Sequence, residues 1–520
     1  MHPLRLASAV ALIAVTAVGS ATGPASGAPS PRPIGSPAAD CRAKVAGLDL
    51  QTASVTELQA AMRSGRLTSR ALTQAYLARI KAYDRPLNSI RALSPTALAT
   101  ADRLDRERRS GRLRGPLHGI PVLRKDNIGT TDLPTTAGSI ALAGNIPVRE
   151  AFVTQRLRAA GAVVLGKTNL SEFANWVALG MPNGYSSLGG QVRNAYSLGD
   201  PSGSSSGSGV AGSMAFATGT LGSETSGSIL SPSSANGLVG VKPTLGLVSR
   251  AGIIPLAPSF DTAGPMTRNV TDAAALLTAI AGPDPRDAVT AGAAPVDYLA
   301  GLSGATLKGV RLGYDDGETN ALFKAALADL RRLGAVLVPS DVVATAGVVG
   351  LTEIAEIPNE FKASLNTYLA EEVRPGLKSG VRSLSDVIAY NKRFPDKVKY
   401  GQNLLEASEA TPGVALLGVP PAAVTRASSR AVIDAALLKD DLDAVVAAGP
   451  AYANVGAAAG YPTVIVPAGA ANDGTRPNGL SFLGTAFTER QLLRYAAAYE
   501  QGTRRRVPPT AANTDLLTGC

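Results

Sequence analysis

Apolar residues recur every third or fourth position in some stretches and form short continuous runs in others. The changing period predicts helices alternating with buried strands. Ser54-Val55-Thr56-Glu57 has the spacing of a capping box, and Leu58, Met62 and Leu67 follow it, so a helix is expected to start at Ser54. Leu72, Tyr76 and Ile80 place a second helix over about 69–82, and a third is expected over about 95–109 with its charged face in solvent. Ile120 to Leu123 read as a short strand that ends at Lys125 and enters a loop. An amphipathic helix over 148–160, a buried strand over 161–166, a loop and a helix from about Ser171 continue the alternation. Further on, helices are expected over 272–281, 325–333 and 489–501, and strands over 310–314, 335–338, 443–447 and 462–467. Residues 283–295 read as loop. Residues about 340–415 are more helical and more charged, and read as a segment covering a pocket. No internal repeat or heptad run interrupts this order. The pattern predicts an α/β fold with a largely parallel or mixed sheet.

The ends differ from the rest. Arg5 precedes an apolar run, Leu6 to Val18, and small residues follow it, which is the layout of a cleavable secretory signal over residues 1–28, with cleavage near Ala21 or Ala28. An uncleaved anchor is the alternative. No later apolar run approaches the length of a membrane span, so stable insertion is not expected. Residues 29–48 read as a flexible, Pro/Ser/Ala-rich lead-in, 49–510 as one domain and 511–520 as a C-terminal tail. Cys41 and Cys520 are the chain's two cysteines, either bridged or free in an oxidising compartment.

Charge and histidine content narrow the chemistry. The net charge is +10, but the basic residues are scattered apart from Arg504-Arg505-Arg506, which does not suit nucleic-acid binding. His2 and His118 are the two histidines, and His2 lies in the predicted signal. One remaining histidine and two distant cysteines do not make a usual zinc site, and neither a metal nor another cofactor is expected. A catalytic serine would therefore need a base other than histidine, or His118 itself. A structural hydrogen bond is the expectation for His118, in its tight LHGIP turn.

The candidate chemistry lies between Gly199 and Thr244. One Ser/Gly cluster surrounds Ser204 and another surrounds Ser228, with the small-residue segment 210–219 between them. Apolar sequence on both sides argues against a linker, so the two clusters are expected to meet and floor an active site. Glycine lets successive N–H groups turn toward one point, and Thr225, Ser226, Gly227 and Ser228 are the candidate oxyanion donors. Lys125, behind an apolar strand, is a candidate base, because burial lowers the pKa of an amine. Arg124 beside it is expected to be solvated.

These motifs resemble the amidase signature family of serine hydrolases. The resemblance rests on Lys125 in PVLRKDN, Ser204 in PSGSSSGS and Ser228 in GSETSGSI, followed by GLVGVKPT. GAVVLGKTNLSEFAN, FDTAGPM and GYPTVIVP extend it over the rest of the mature chain. GSSSGS and SLSDVIAYN are similar to the bacterial peptide-amidase-like subgroup. The resemblance implies a large mixed sheet covered by helices on both faces. It implies Ser228 as nucleophile, Ser204 as a bridge after a cis Gly203–Ser204 peptide, Lys125 as base and Ser205 as a partner behind Lys125. Three positions depart from the common pattern: Glu224 stands for Asp, Ser226 for Gly and Leu230 for Arg. Ser226 raises the question of which residue supplies a positive φ in the loop, and Leu230 removes a cationic anchor. The expected activity is a secreted, extracellular amidase acting on carboxylic or C-terminal peptide amides. The alternatives are a non-catalytic cell-surface binding protein and a transamidating amidotransferase subunit.

Overall fold

A computed structural model of the chain describes residues 43–340, 342–413, 422–470 and 476–513. The predicted signal, most of the lead-in, Cys41 and Cys520 lie outside the described residues. The last residues of the predicted lead-in are ordered: Lys44–Val45 pairs with Leu48–Asp49 in a small hairpin, because Ala46 and Gly47 both take positive φ at its tip.

Helix α1 (Val55–Arg63) begins at the predicted capping box, with the Ser54 hydroxyl and the Glu57 carboxylate each closing on the other's backbone N–H. Helices α2 (Ser69–Leu87) and α3 (Ala97–Arg109) follow. Leu72, Tyr76 and Ile80 of α2 are buried in the main apolar core, as their spacing requires. Helix α4 (Phe152–Ala159) is shorter than the amphipathic pattern suggested.

Among the described residues, eleven strands form one sheet. In chain order they are β1 (Ile90–Leu93), β2 (Pro121–Lys125), β3 (Val163–Thr168), β4 (Gly219–Glu224), β5 (Val239–Lys242), β6 (Thr262–Thr267), β7 (Arg311–Tyr314), β8 (Val336–Pro339), β9 (Ala444–Ala448), β10 (Thr463–Ala470) and β11 (Pro477–Leu483). Their order across the sheet is β8-β7-β9-β11-β10-β5-β6-β4-β2-β3-β1. Pairing is parallel around β2 and around β7, and antiparallel elsewhere, so the sheet is mixed. Every residue of β2, β3 and β4 is buried, which requires cover on both faces.

Helices α5 (Ser206–Ser213), α6 (Leu230–Ala235), α7 (Val270–Ile280) and α8 (Ala321–Arg332) lie between the strands in sequence. Beyond β8 come α9 (Val342–Glu371), α10 (Leu384–Lys392) and α11 (Asn403–Glu409), the covering segment. Its Phe361, Leu365 and Leu369 join Phe173, Ile254 and Phe260 in a second apolar cluster, apart from the main core. The helix α12 (Ala422–Lys439) and strand β11 have no counterpart in the periodicity reading. The helix expected from about Ser171 is one 3₁₀ turn, Glu172–Asn175. Phe173, Ala174 and Asn175 take φ of 44°, 57° and 75°, values that cannot propagate a right-handed helix.

Candidate active site

Three parallel strands set the site. β2 pairs with β3 on one side and β4 on the other, so their C-terminal ends lie together at Lys125, Thr168 and Glu224. Open α/β sheets leave their ligand crevice at such ends.

Lys125 is completely buried at the end of β2. Its Nζ lies 2.7 Å from Ser204 Oγ, 3.0 Å from Ser223 Oγ and 3.2 Å from the Ser223 carbonyl. Burial pushes the amine down to about 7, while Asp261 and Glu224 pull it partly back. Ser204 follows a cis Gly203–Ser204 peptide. The glycines after it have a mechanical reason. Gly207 donates its N–H to the Asn169 carbonyl at 3.0 Å. A Cβ there would come within 2.4 Å of that oxygen and 2.5 Å of the Ser89 carbonyl.

The two Ser/Gly clusters meet. The Ser205 N–H donates to the Ser228 carbonyl at 3.2 Å. The Ser205 hydroxyl donates to the Ser223 carbonyl at 3.1 Å and accepts the Ser223 N–H at 3.3 Å. Ser205 thus reaches Lys125 through Ser223.

Ser228 is 8 % exposed, in the turn between β4 and α6. Glu224 organises that turn: its Oε2 accepts the N–H groups of Ile229 at 2.6 Å and Leu230 at 2.9 Å. Burial pushes the Glu224 carboxyl up, opposed chiefly by Lys242. Thr225 Oγ1 donates to Asp261 Oδ1 at 2.5 Å, and the other Asp261 oxygen accepts the N–H groups of Leu256 and Ala257. Ser226 Oγ donates to Asn454 Oδ1 at 3.0 Å. Gly227, not residue 226, carries the positive φ of the loop, at 76°. The Ser226 substitution therefore costs the turn no left-handed position. The N–H groups of Ser226 and Ser228 meet no acceptor among the described residues. Leu230 is fully buried against Ala453 and Ile465, so no cation stands where the commoner pattern has one.

A cavity of about 660 Å³ opens beside this centre. Asn127, Ser223, Thr225 and Asp261 line it on the sheet side, and Glu360 and Tyr368 of α9 on the covering side.

Two neighbours behave differently from a simple surface reading. Arg124 is 1 % exposed and not solvated, because β2 is covered on both faces. It donates to Thr154 Oγ1 at 3.4 Å, and burial lowers it to about 9. His118 has both ring nitrogens occupied by backbone: Nε2 lies 2.9 Å from the Leu104 carbonyl, and Nδ1 accepts the Arg114 N–H at 3.3 Å. Burial depresses its pKa further, and its contacts are those of a structural residue.

Ser223 and Asn127 are site residues that motif reasoning passed over. Ser223 lies on β4, whose small residues carry no alternating pattern, and Asn127 lies just past β2, so neither is marked by periodicity.

The chain is similar to several known proteins. The Amidase family model matches residues 71–411. A probable amidase of Arabidopsis thaliana is 41% identical over 476 residues, covering 88% of this chain and 92% of the relative. The crystal structure of native peptide amidase from Stenotrophomonas maltophilia superimposes with a TM-score of 0.82 at 46% identity, covering 88% of this chain and 98% of that one. A glutamyl-tRNA(Gln) amidotransferase chain from a Synechococcus strain is 34% identical over 87% of this chain and 97% of its own length.

Proposed function

The chain belongs to the amidase family, whose members act on carbon–nitrogen amide bonds, and from that premise we propose a secreted amidase that converts carboxylic or C-terminal peptide amides to the acid plus ammonia or amine. The observation that carries the mechanism is the buried Lys125 amine 2.7 Å from the Ser204 hydroxyl. A neutral amine has one lone pair and two N–H donors. The Ser223 carbonyl and hydroxyl, at 3.2 and 3.0 Å, accept the two donors and leave the lone pair for the Ser204 O–H. Ser204 passes its proton to Lys125 as it takes one from Ser228, and Ser228 Oγ attacks the amide carbon.

The tetrahedral oxyanion is held by N–H groups of the 225–228 turn, which Glu224 and Asp261 keep in shape. The proton returns through Ser204 to the leaving nitrogen, the C–N bond breaks and an acyl-Ser228 ester remains. Water then attacks the ester by the same relay, its proton returning to Ser228 as the acid leaves.

The peptide-amide substrate class is supported by the 46% identity to the S. maltophilia peptide amidase, against 34% to the amidotransferase chain. Export is supported by Arg5 and the apolar run Leu6 to Val18. Among the described residues, no helix is long and apolar enough to cross a membrane.

Ser228→Ala is the direct test. It should leave a folded protein whose ammonia release from a panel of peptide and aliphatic amides falls by about 10⁴-fold or more. Wild-type rates in that variant would remove Ser228 from the mechanism. Transfer of ammonia to an acylated tRNA, without hydrolysis of free amides, would favour the amidotransferase alternative.

A further inference from the structure

Asn127 follows the catalytic strand by two residues and is 4 % exposed. Its Nδ2 donates to Ser223 Oγ at 2.9 Å. Ser223 Oγ also accepts from Lys125 Nζ, so the side-chain amide of Asn127 is fixed by the hydroxyl that orients the lysine. Its Oδ1 is buried without a hydrogen-bond partner among the described residues, and Asn127 lines the cavity. A buried carbonyl oxygen without a donor is destabilising, and native proteins rarely leave one so. What this oxygen lacks is an N–H or O–H supplied from the cavity.

Its position indicates which one. Asn127 bonds Ser223, Ser223 bonds Lys125, and Lys125 bonds Ser204. That chain adjoins the relay which delivers a proton to the leaving nitrogen, so the leaving group departs on this side of the cavity. We infer that Asn127 Oδ1 accepts a hydrogen bond from the N–H of the scissile amide and makes the enzyme select carboxamides that carry an N–H over esters and N,N-dialkyl amides. The inference rests on the acyl-enzyme mechanism proposed above and adds to it a specificity-determining residue. An ester oxygen at the same place has no proton to offer and turns its lone pairs toward Oδ1. A site built to receive a donor rejects the analogue that lacks it, because its own polar group is left unpaired.

The test uses one acyl group carried as primary amide, N-methyl amide, N,N-dimethyl amide and methyl ester. In Asn127→Ala the ratio of amide to ester kcat/KM should fall by about tenfold or more relative to wild type. A ratio taken within one variant is insensitive to how much of the protein is folded. Equal losses on amide and ester would overturn the inference and leave Asn127 as a support for Ser223. Asn127→Asp keeps an acceptor at the same place and should retain the preference for N–H amides. Loss of preference as complete as in Asn127→Ala would also overturn it. Ser228→Ala separates this claim from the mechanism it rests on. In that background the primary amide should bind more tightly than the methyl ester, and the difference should vanish when Asn127→Ala is added. Ammonia release by Ser228→Ala would remove the nucleophile assignment, while the two dissociation constants would still decide the role of Asn127. Equal dissociation constants with Asn127 intact would count against it.

Discussion

Two lysines at the ends of adjacent parallel strands show how one environment yields two different groups. Lys125 ends β2 and Lys167 lies near the end of β3, and both are completely buried. Burial pushes both amines down to about 7, so the value alone does not tell them apart. Their partners differ. Lys125 meets two hydroxyls and a carbonyl, with no carboxylate in ion-pair range among the described residues. Lys167 meets the Ile128 carbonyl at 2.6 Å, Thr135 Oγ1 at 2.9 Å and the buried Asp126 carboxylate at 3.5 Å. The Asp126 carboxylate favours the charged amine, but burial outweighs it and Lys167 ends as low as Lys125. Asp126 in turn accepts from Thr136 Oγ1, and its carbonyl accepts the N–H groups of Thr136 and Ala137. What separates them is what each Nζ touches: Lys125 reaches the Ser204 hydroxyl, whereas Lys167 ties the 126–135 loop to β3. Desolvation alone does not make a base; a buried amine also needs a proton donor such as a serine hydroxyl within reach.

Of the two lysines, the first gives the larger expected effect when removed. Lys125→Met should lower kcat/KM on amides by about 10³–10⁴-fold, since the relay loses its acceptor. In the wild type, kcat/KM should rise with pH through a limb near 7 and level off above it, because the amine works only when neutral. A flat or acid-favoured profile would contradict the assignment. Stability should gain from the same substitution. Between the folded value of about 7 and the free amine's ordinary ~10.4, the unfolded chain binds a proton that the folded chain does not. Wild-type stability therefore rises with pH across that window, and below it the full cost of burying the amine is present. Lys125→Met should be more stable than wild type near neutral pH by on the order of 1–3 kcal/mol, after the loss of its hydrogen bonds. Denaturant melts at pH 6.5 and 9.5 check this, since the gain should shrink at the higher pH.

The second amine should respond in the opposite sense. Lys167→Met leaves Asp126 buried without its cation, and breaking a buried pair on one side costs about 3–5 kcal/mol. Its unfolding midpoint in urea should drop accordingly, while the fraction that remains folded keeps the pH limb near 7. Loss of that limb without loss of stability would mean that the two lysines had been assigned the wrong way round.

The sequence and the structure agree unevenly, for physical reasons. Lys125, Ser204 and Ser228 stand in motifs dense enough to be found without coordinates, and the structure brings Lys125 onto Ser204 and joins the two serine clusters through Ser205 and Ser228. Helices such as α1 were legible because a cap and an apolar stripe coincide. Strand β4 was not, since GTLGSE carries a single large apolar residue and is buried by small size and close approach. Ser223, which lies on it, was hidden with it. Arg124 misled because an arginine is ordinarily solvated, and nothing local announces that both faces of β2 are covered. The turn at Phe173 was lost because its positive φ values fall on residues that do not advertise them.

The smallest expected effect concerns the oxyanion turn and decides whether its departure from the common pattern matters. Ser226 has an ordinary backbone conformation, and Gly227 beside it takes the left-handed one, where a Cβ would come 3.0 Å from Ser231 Oγ. Restoring glycine by Ser226→Gly removes one hydrogen bond to Asn454 and adds freedom to the unfolded chain. Stability should fall by about 0.5–1 kcal/mol, and kcat/KM should stay within about threefold of wild type. Gly227→Ala is the contrasting change: it forces a side chain into a left-handed position and against Ser231, and should slow turnover more than it lowers substrate affinity. If Ser226→Gly were instead to raise turnover tenfold, the loop with serine would be a compromised oxyanion site and its donors would lie elsewhere than the 225–228 turn.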